Sequence, residues 1–218
     1  MPLARYKNLA AERKEAILRA AAYEFAEKGY ERASLNRMIK EAGLSKGTFY
    51  YYFEDKADLF VTVMRVKLPS EAWITESGLM ETQDPTAFWA ALKALEVGKY
   101  AYLGQYPDVA RLAEALGGLA ASNLENASLA AYAEERVAEV KAMLEYGRRI
   151  AAVRGDLPMP LLIKLWTGVE RSLSEWIFQD WEVLSQLERQ QRGDVAVDTF
   201  YRVFQGTMSD GLLSTLPS

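Results

Sequence analysis

The 218-residue chain contains no cysteine and no histidine. Without cysteine there is no disulfide, no thiolate nucleophile and no sulfur ligand for a metal. Without histidine the commonest general base near neutral pH is missing, as is the usual partner of a nucleophilic serine. Zinc and copper lose their commonest ligand as well. Carboxylates remain, but the nearest pairs, Glu134-Glu135 and Asp180/Glu182, occupy adjacent or alternate positions, which do not face one another on a helix. The chain is expected to be no enzyme and to hold neither metal nor cofactor.

Long apolar runs are also lacking. None approaches the roughly 18 residues that cross a bilayer, and the opening MPLARYKNLAAERKEAI has no continuous hydrophobic stretch of a secretory leader. A cytoplasmic protein with no membrane partner is expected. No sustained apolar–polar alternation marks strands, and no repeat is visible. Apolar residues make up 50% and charged residues 26%, ordinary for a globular chain.

The net charge of −4 argues against a polyanion partner, but its distribution does not. Residues 1–56 hold 11 Lys/Arg against 8 Asp/Glu, a balance of +3, while residues 57–218 hold 15 against 22, a balance of −7. Only the first quarter is suited to face a polyanion.

What is present reads as helix after helix. Ile17, Ala21 and Phe25 form one apolar stripe of a first helix from about Ala10 to Gly29, a residue suited to the left-handed conformation that ends helices. Ser34 is placed to cap a second helix, Leu35 to Ala42, which stops at Gly43. Ser45 caps a third over 46–52, and Asp55 a fourth that ends near Leu68-Pro69. Breaks at Asp84-Pro85, Tyr106-Pro107, Gly117-Gly118, 155–160 and Gly193-Asp194 then predict helices near 86–105, 108–117, 126–153, 159–188 and 194–213.

The second and third helices, joined by AGLS at 42–45, form a helix-turn-helix. Gly43 permits the reversal with positive φ. Phe49 and Phe53 turn one face of the third helix inward. The opposite face displays Lys46, Gly47, Thr48, Tyr50 and Tyr51, with Lys46 and Thr48 expected to be exposed. Such a face suits the major groove: lysine donates to guanine or phosphate, a threonine methyl meets thymine, and glycine lets backbone come close. Tyrosine hydroxyls reach phosphate oxygens.

Residues 9–66 resemble the DNA-binding domain of the TetR (tetracycline repressor) family. The matching residues are I-L-x-A-A-x-x-x-F-A-E-K-G-Y at 17–30, S-L-x-x-M-I-K-E-A-G-L-S-K-G-T-F-Y-Y-Y-F at 34–53 and K-A-D-L-F at 56–60. The resemblance implies that Ser34 and Asn36 touch backbone and a groove edge, that Lys46, Gly47 and Thr48 read bases, and that Tyr50, Tyr51 and Lys56 meet phosphates. Tyr52 stands where many members have histidine. It can donate to phosphate or, three residues after Phe49, simply pack. Arg5 and Lys7, ahead of the first helix, could reach an adjacent phosphate or minor groove, but are read first as a solvated tail.

The implied architecture is an all-α chain with a three-helix DNA-binding domain at 1–56, continuing into the fourth helix at about 55–68. A helical ligand-binding and dimerisation domain follows at 57–218, with the fourth helix as a rigid lever between them. Leu162, Val169, Leu173, Trp176 and Ile177, with Phe200, Val203 and Phe204, give two late helices apolar faces. Paired with a second copy they would form a four-helix interface, an arrangement drawn partly from the resemblance. Such a homodimer predicts a palindromic double-stranded operator. Phe88, Trp89, Tyr100, Tyr102, Tyr106 and Trp166 offer aromatic surface for a small-molecule effector, oriented by Arg111, Glu170 and Glu96. The expected function is a ligand-responsive regulator, a repressor; the rival reading is a DNA-binding protein that senses no small molecule and instead meets a protein partner or acts as an architectural factor.

Overall fold

In a computed structural model that describes residues 4–68, 70–117, 125–181 and 183–208, the three residues read as helix starts each accept an orphan backbone N–H. Ser34 accepts from Arg37 at 3.4 Å, Ser45 from Thr48 at 3.0 Å and Asp55 from Asp58 at 2.8 Å. The helices are α1 (Ala4–Lys7), α2 (Ala11–Arg32), α3 (Leu35–Glu41), α4 (Lys46–Tyr52), α5 (Lys56–Lys67), α6 (Ser70–Glu76), α7 (Pro85–Gln105), α8 (Pro107–Gly117), α9 (Ala127–Arg149), α10 (Met159–Phe178) and α11 (Gln186–Met208). A 3-10 turn spans Leu79–Glu81. Among the described residues all regular structure is helical, so the fold is all-α. Gly29 at φ 67° and Gly43 at φ 62° adopt the positive φ expected of them, but Gly29 kinks α2, and helix resumes to Arg32 beyond the expected stop.

The chain forms two compact units. The first takes residues 1–69 and 106–134. In it α2 packs against α3, α5 and α8. Its core joins Ile17, Ala21, Phe25, Met38, Phe49 and Phe53 to Leu59, Phe60 and Val63 of α5, and takes in Leu112 and Leu129. Phe25 and Phe60 meet edge to face at 4.9 Å, and Phe49 stacks on Phe53 at 5.4 Å. Every residue of α5 from Ala57 to Met64 is buried, which makes it the central helix of this unit. The segment 106–134 joins because α8 buries Val109, Ala110 and Leu112.

The second unit takes residues 70–105 and 135–218. There α11 packs on α7 and α10 around a core that includes Phe88, Trp89, Leu92, Leu144, Leu162, Trp166, Phe200 and Phe204.

Several helix limits differ from those expected. The helix predicted to run from 159 to 188 stops at Phe178, and Asp180 turns left-handed at φ 56°. Arg192 then donates to the carbonyls of Trp176, Ile177 and Gln179, satisfying the helix end. The last helix starts at Gln186, not 194, behind a reciprocal cap. Glu188 N–H donates to Ser185 Oγ at 3.3 Å, and Ser185 N–H donates to the Glu188 carboxylate at 2.8 Å. Gly193 lies inside that helix. A Cβ there would stand 3.1 Å from Tyr100 Cβ, so glycine serves close packing at this position and breaks nothing. The helix predicted over 126–153 ends at Arg149, beyond which Ala151 is left-handed at φ 58°. Expectations that touch Gly118, Glu182 and residues 209–213 lie outside the described residues.

Candidate nucleic-acid interface

The candidate face begins with what holds α3 and α4 in place. Glu24 sits seven residues after Ile17 on the apolar face of α2 and is buried. Its Oε1 accepts the Ser34 N–H at 3.1 Å, and its Oε2 lies 3.5 Å from Arg37 Nε. One carboxylate thus fixes the start of α3 to α2. Arg13 closes the turn from the other side by donating to the Gly43 carbonyl at 2.8 Å. Sequence reasoning missed both residues. The signal for Glu24 was there, an acidic residue on an otherwise apolar stripe, but its partner could not be read from the pattern.

α4 presents two faces. Phe49 and Phe53 are in the core, while Lys46, Gly47, Tyr50 and Tyr51 are exposed, the two tyrosines by 55% and 49%. Among the described residues no carboxylate pairs with Lys46. A Cβ added at Gly47 would meet nothing nearer than Ser45 Oγ at 3.9 Å, so nothing inside the protein calls for glycine there. Thr48 was expected to be exposed and is half-buried, and its hydroxyl shares a hydrogen bond with Ser45 Oγ at 2.8 Å. Ser34 and Asn36 are exposed on α3. Tyr52 is half-buried against the core, its ring 5.3 Å from that of Tyr51.

Lys56 has another occupation. Its ammonium donates to the carbonyls of Tyr30 at 2.7 Å, Glu31 at 3.1 Å and Ala33 at 3.4 Å. An ammonium has three N–H groups, and all are engaged in closing the turn after Gly29. Burial lowers its pKa from the usual lysine value, with Glu31 opposing. Lys56 can meet a phosphate only by giving up one of these carbonyls.

The residues read as lining an effector pocket are divided between the two units. Phe88, Trp89 and Trp166 are core, and the Trp89 indole N–H donates to the Ala152 carbonyl at 3.0 Å. Tyr102 packs edge to face on Trp73 at 5.4 Å. Tyr106 and Arg111 belong to the first unit, where Arg111 pairs with Glu27. Glu170 instead joins a polar centre in the second unit. Lys99 Nζ lies 2.6 Å from Glu96 and 3.2 Å from Glu170, with Tyr100 alongside. Burial raises the Glu96 pKa, with Lys99 opposing. Burial also pushes the Tyr100 phenol up to about 12, again against Lys99 and with Glu96 and Glu170 adding to the rise.

Of the residues read as a dimer face, Leu162, Ile177, Phe200 and Phe204 are buried within the chain itself, at 0–3% exposure. Val169 and Leu173 pack against that core. Trp176 and Val203 stand outward at 40% and 39%, together with Leu161, Leu165 and Val195.

Residues 17–63 match the family model described as bacterial regulatory proteins, tetR family. The chain is similar to the HTH-type transcriptional repressor BepR of Brucella suis, with 35% identity over 82 residues, 37% of this chain and 39% of that protein. It is also similar to the uncharacterized HTH-type regulator YdgC of Bacillus subtilis, with 25% identity over 174 residues, 78% of this chain and 83% of the relative. The fold is that of the transcriptional regulator FadR from Bacillus subtilis, solved in complex with stearoyl-CoA. That likeness has a TM-score of 0.65 at 15% identity and covers 86% of this chain and 97% of that one.

Proposed function

With residues 17–63 a TetR-family helix-turn-helix domain, we propose that this transcription regulator is a homodimeric repressor, bound to a palindromic operator and answering to a small molecule. The carrying observation is the two-sided α4. Its aromatic face is in the core, while Lys46, Gly47, Tyr50 and Tyr51 lie open to solvent. Lys46 supplies a donor for a base edge or phosphate, and the bare Gly47 backbone admits a groove wall. The name of BepR, a repressor, supports the direction of regulation. The stearoyl-CoA of FadR supports an effector.

Self-association needs side chains that the protomer leaves outside. Leu161, Leu165 and Trp176 recur at helical spacing on one side of α10, and Val195 and Val203 are exposed on α11, as is Leu187 near its start. These replace the buried members of the expected face. Two such pairs of helices meeting across a two-fold axis would set the recognition helices about one turn of DNA apart.

The test is a titration of the wild-type chain and Lys46→Ala against a duplex selected on the wild type from a random pool. A lost base contact costs about 1–3 kcal/mol, so the variant is expected to bind roughly tenfold more weakly and to lose sequence preference. A Lys46→Ala chain that binds and discriminates as the wild type does overturns the reading. Sedimentation of Leu165→Glu, expected to yield monomer, tests the dimer face. An effector shifts DNA affinity only through its differential affinity for two protein geometries. Equal operator affinity with and without a given compound excludes that compound.

A further inference from the structure

The short segment ahead of the DNA-binding helices, read from the sequence as a solvated tail, is docked. Tyr6 is buried with its ring 5.0 Å from that of Phe53, the residue that ends α4. Lys14 ties the segment from the other side, its Nζ donating to the Lys7 carbonyl at 2.8 Å and lying 5.7 Å from the Tyr6 ring. Backbone bonds from Asn8 and Leu9 to the carbonyls of Arg5 and Tyr6 close the turn, and Leu9 packs on the same core. One residue before the anchor, the Arg5 guanidinium lies 4.5 Å from the centroid of the Tyr51 ring. Both side chains are exposed, and among the described residues no carboxylate neutralises Arg5.

We propose that α1 is part of the DNA-binding surface and that Arg5, held on the face of Tyr51, is a preset clamp for one backbone phosphate beside the recognition helix. The chemistry fits this ligand. A guanidinium stacked on an aromatic ring keeps its N–H groups directed along the plane, in a fork that matches two phosphate oxygens. Stacking also restricts a long side chain before DNA arrives, so less freedom is lost on binding. Among the described residues no carboxylate has to release this positive charge. The Tyr51 hydroxyl, on the ring that carries the guanidinium, can donate to the same phosphate or its neighbour.

This inference rests on the proposed DNA-binding function, and the experiment separates the two. Fluorescence anisotropy with the selected duplex, across a potassium chloride series, compares full-length wild type with Arg5→Ala, Arg5→Lys and Lys46→Ala. Losing one phosphate contact lowers the slope of log affinity against log salt by about 0.9. The Arg5→Ala deficit is therefore expected to shrink by about 3.5-fold between about 50 and 200 mM salt. Arg5→Lys, which keeps the charge and loses the fork, is expected to restore the slope but not the full affinity. On a scrambled duplex Arg5→Ala is expected to weaken binding by the same factor, since phosphate contacts carry no sequence. An unchanged slope in Arg5→Ala, or a loss confined to the selected sequence, overturns the clamp. If Lys46→Ala also binds as the wild type does, the DNA-binding reading itself fails. If Lys46→Ala weakens binding and Arg5→Ala does not, only the clamp falls. Arg5 is exposed, and an unchanged thermal melt of Arg5→Ala confirms that a folded protein is being compared.

Discussion

The side-chain amide of Asn126 donates to the Asp55 carboxylate at 2.7 Å, and each of these residues also caps a helix. Asp55 accepts from the Asp58 N–H at the start of α5, and Asn126 accepts from the N–H groups of Ser128 and Leu129 at 3.0 and 3.3 Å at the start of α9. Two helix starts 71 residues apart are thereby fastened to each other, and one of them follows the recognition helix by three residues. Removing Asn126 breaks the cap of α9 and leaves one Asp55 oxygen without this donor. Asn126→Ala is expected to lower stability by about 1–2 kcal/mol, read from the midpoint of urea unfolding. An unchanged midpoint would mean that the junction does no structural service.

Lys56 separates a structural lysine from a DNA-contacting one. Its three N–H groups close the turn at Tyr30, Glu31 and Ala33, so Lys56→Met strands carbonyls that are partly shielded from water. A loss of about 1–3 kcal/mol in unfolding free energy is expected. In DNA titrations of the folded variant the salt slope should stay within experimental error of wild type. A slope lower by about 0.9 would show that Lys56 meets a phosphate after all.

Gly193 tests close packing of α11 on α7. A Cβ at this position stands 3.1 Å from Tyr100 Cβ, closer than side chains comfortably approach. Helix propensity alone predicts that Gly193→Ala stabilises by about 1 kcal/mol. Crowding predicts the opposite sign, a loss of about 1–3 kcal/mol, and that is the expected outcome. A raised melting temperature would show that α11 shifts freely.

Tyr100 links stability to alkaline pH. Its phenol is pushed up to about 12, first by burial, against about 10 for an unfolded tyrosine. The folded state therefore favours the neutral phenol. Its contribution is full below about pH 10 and is lost as pH rises through about 12, to a total of about 2–3 kcal/mol. Tyr100→Phe has no proton to lose. Its unfolding free energy should fall less than that of the wild type between about pH 9 and 11.5, and parallel declines would contradict the shift.

The elements legible in the sequence are those whose causes lie within a few residues. Ser34, Ser45 and Asp55 cap helices that begin one residue later, Gly29 kinks α2 and Gly43 reverses the chain after α3, because a cap or a left-handed turn needs only near neighbours. Ser185 and Glu188 carry an equally local signature. There the apolar period over 159–188 masked it, and helix was read across a real break.

The two-sided pattern of residues 46–53 was therefore sufficient to place an exposed face opposite the buried Phe49 and Phe53, down to Lys46, Gly47, Tyr50 and Tyr51. Only the tertiary structure decided what lies far apart in sequence. It gave the Lys56 ammonium three carbonyls 23 to 26 residues away and paired Arg111 with Glu27 across 84. It also laid Arg5 on Tyr51. It put Leu162 inside and its neighbour Leu161 outside, a choice that periodicity leaves open because both sides of α10 are apolar. Short-range hydrogen bonds depend on the chain's own geometry. Burial and long-range pairing depend on which surface arrives to cover a residue, and no local pattern specifies that.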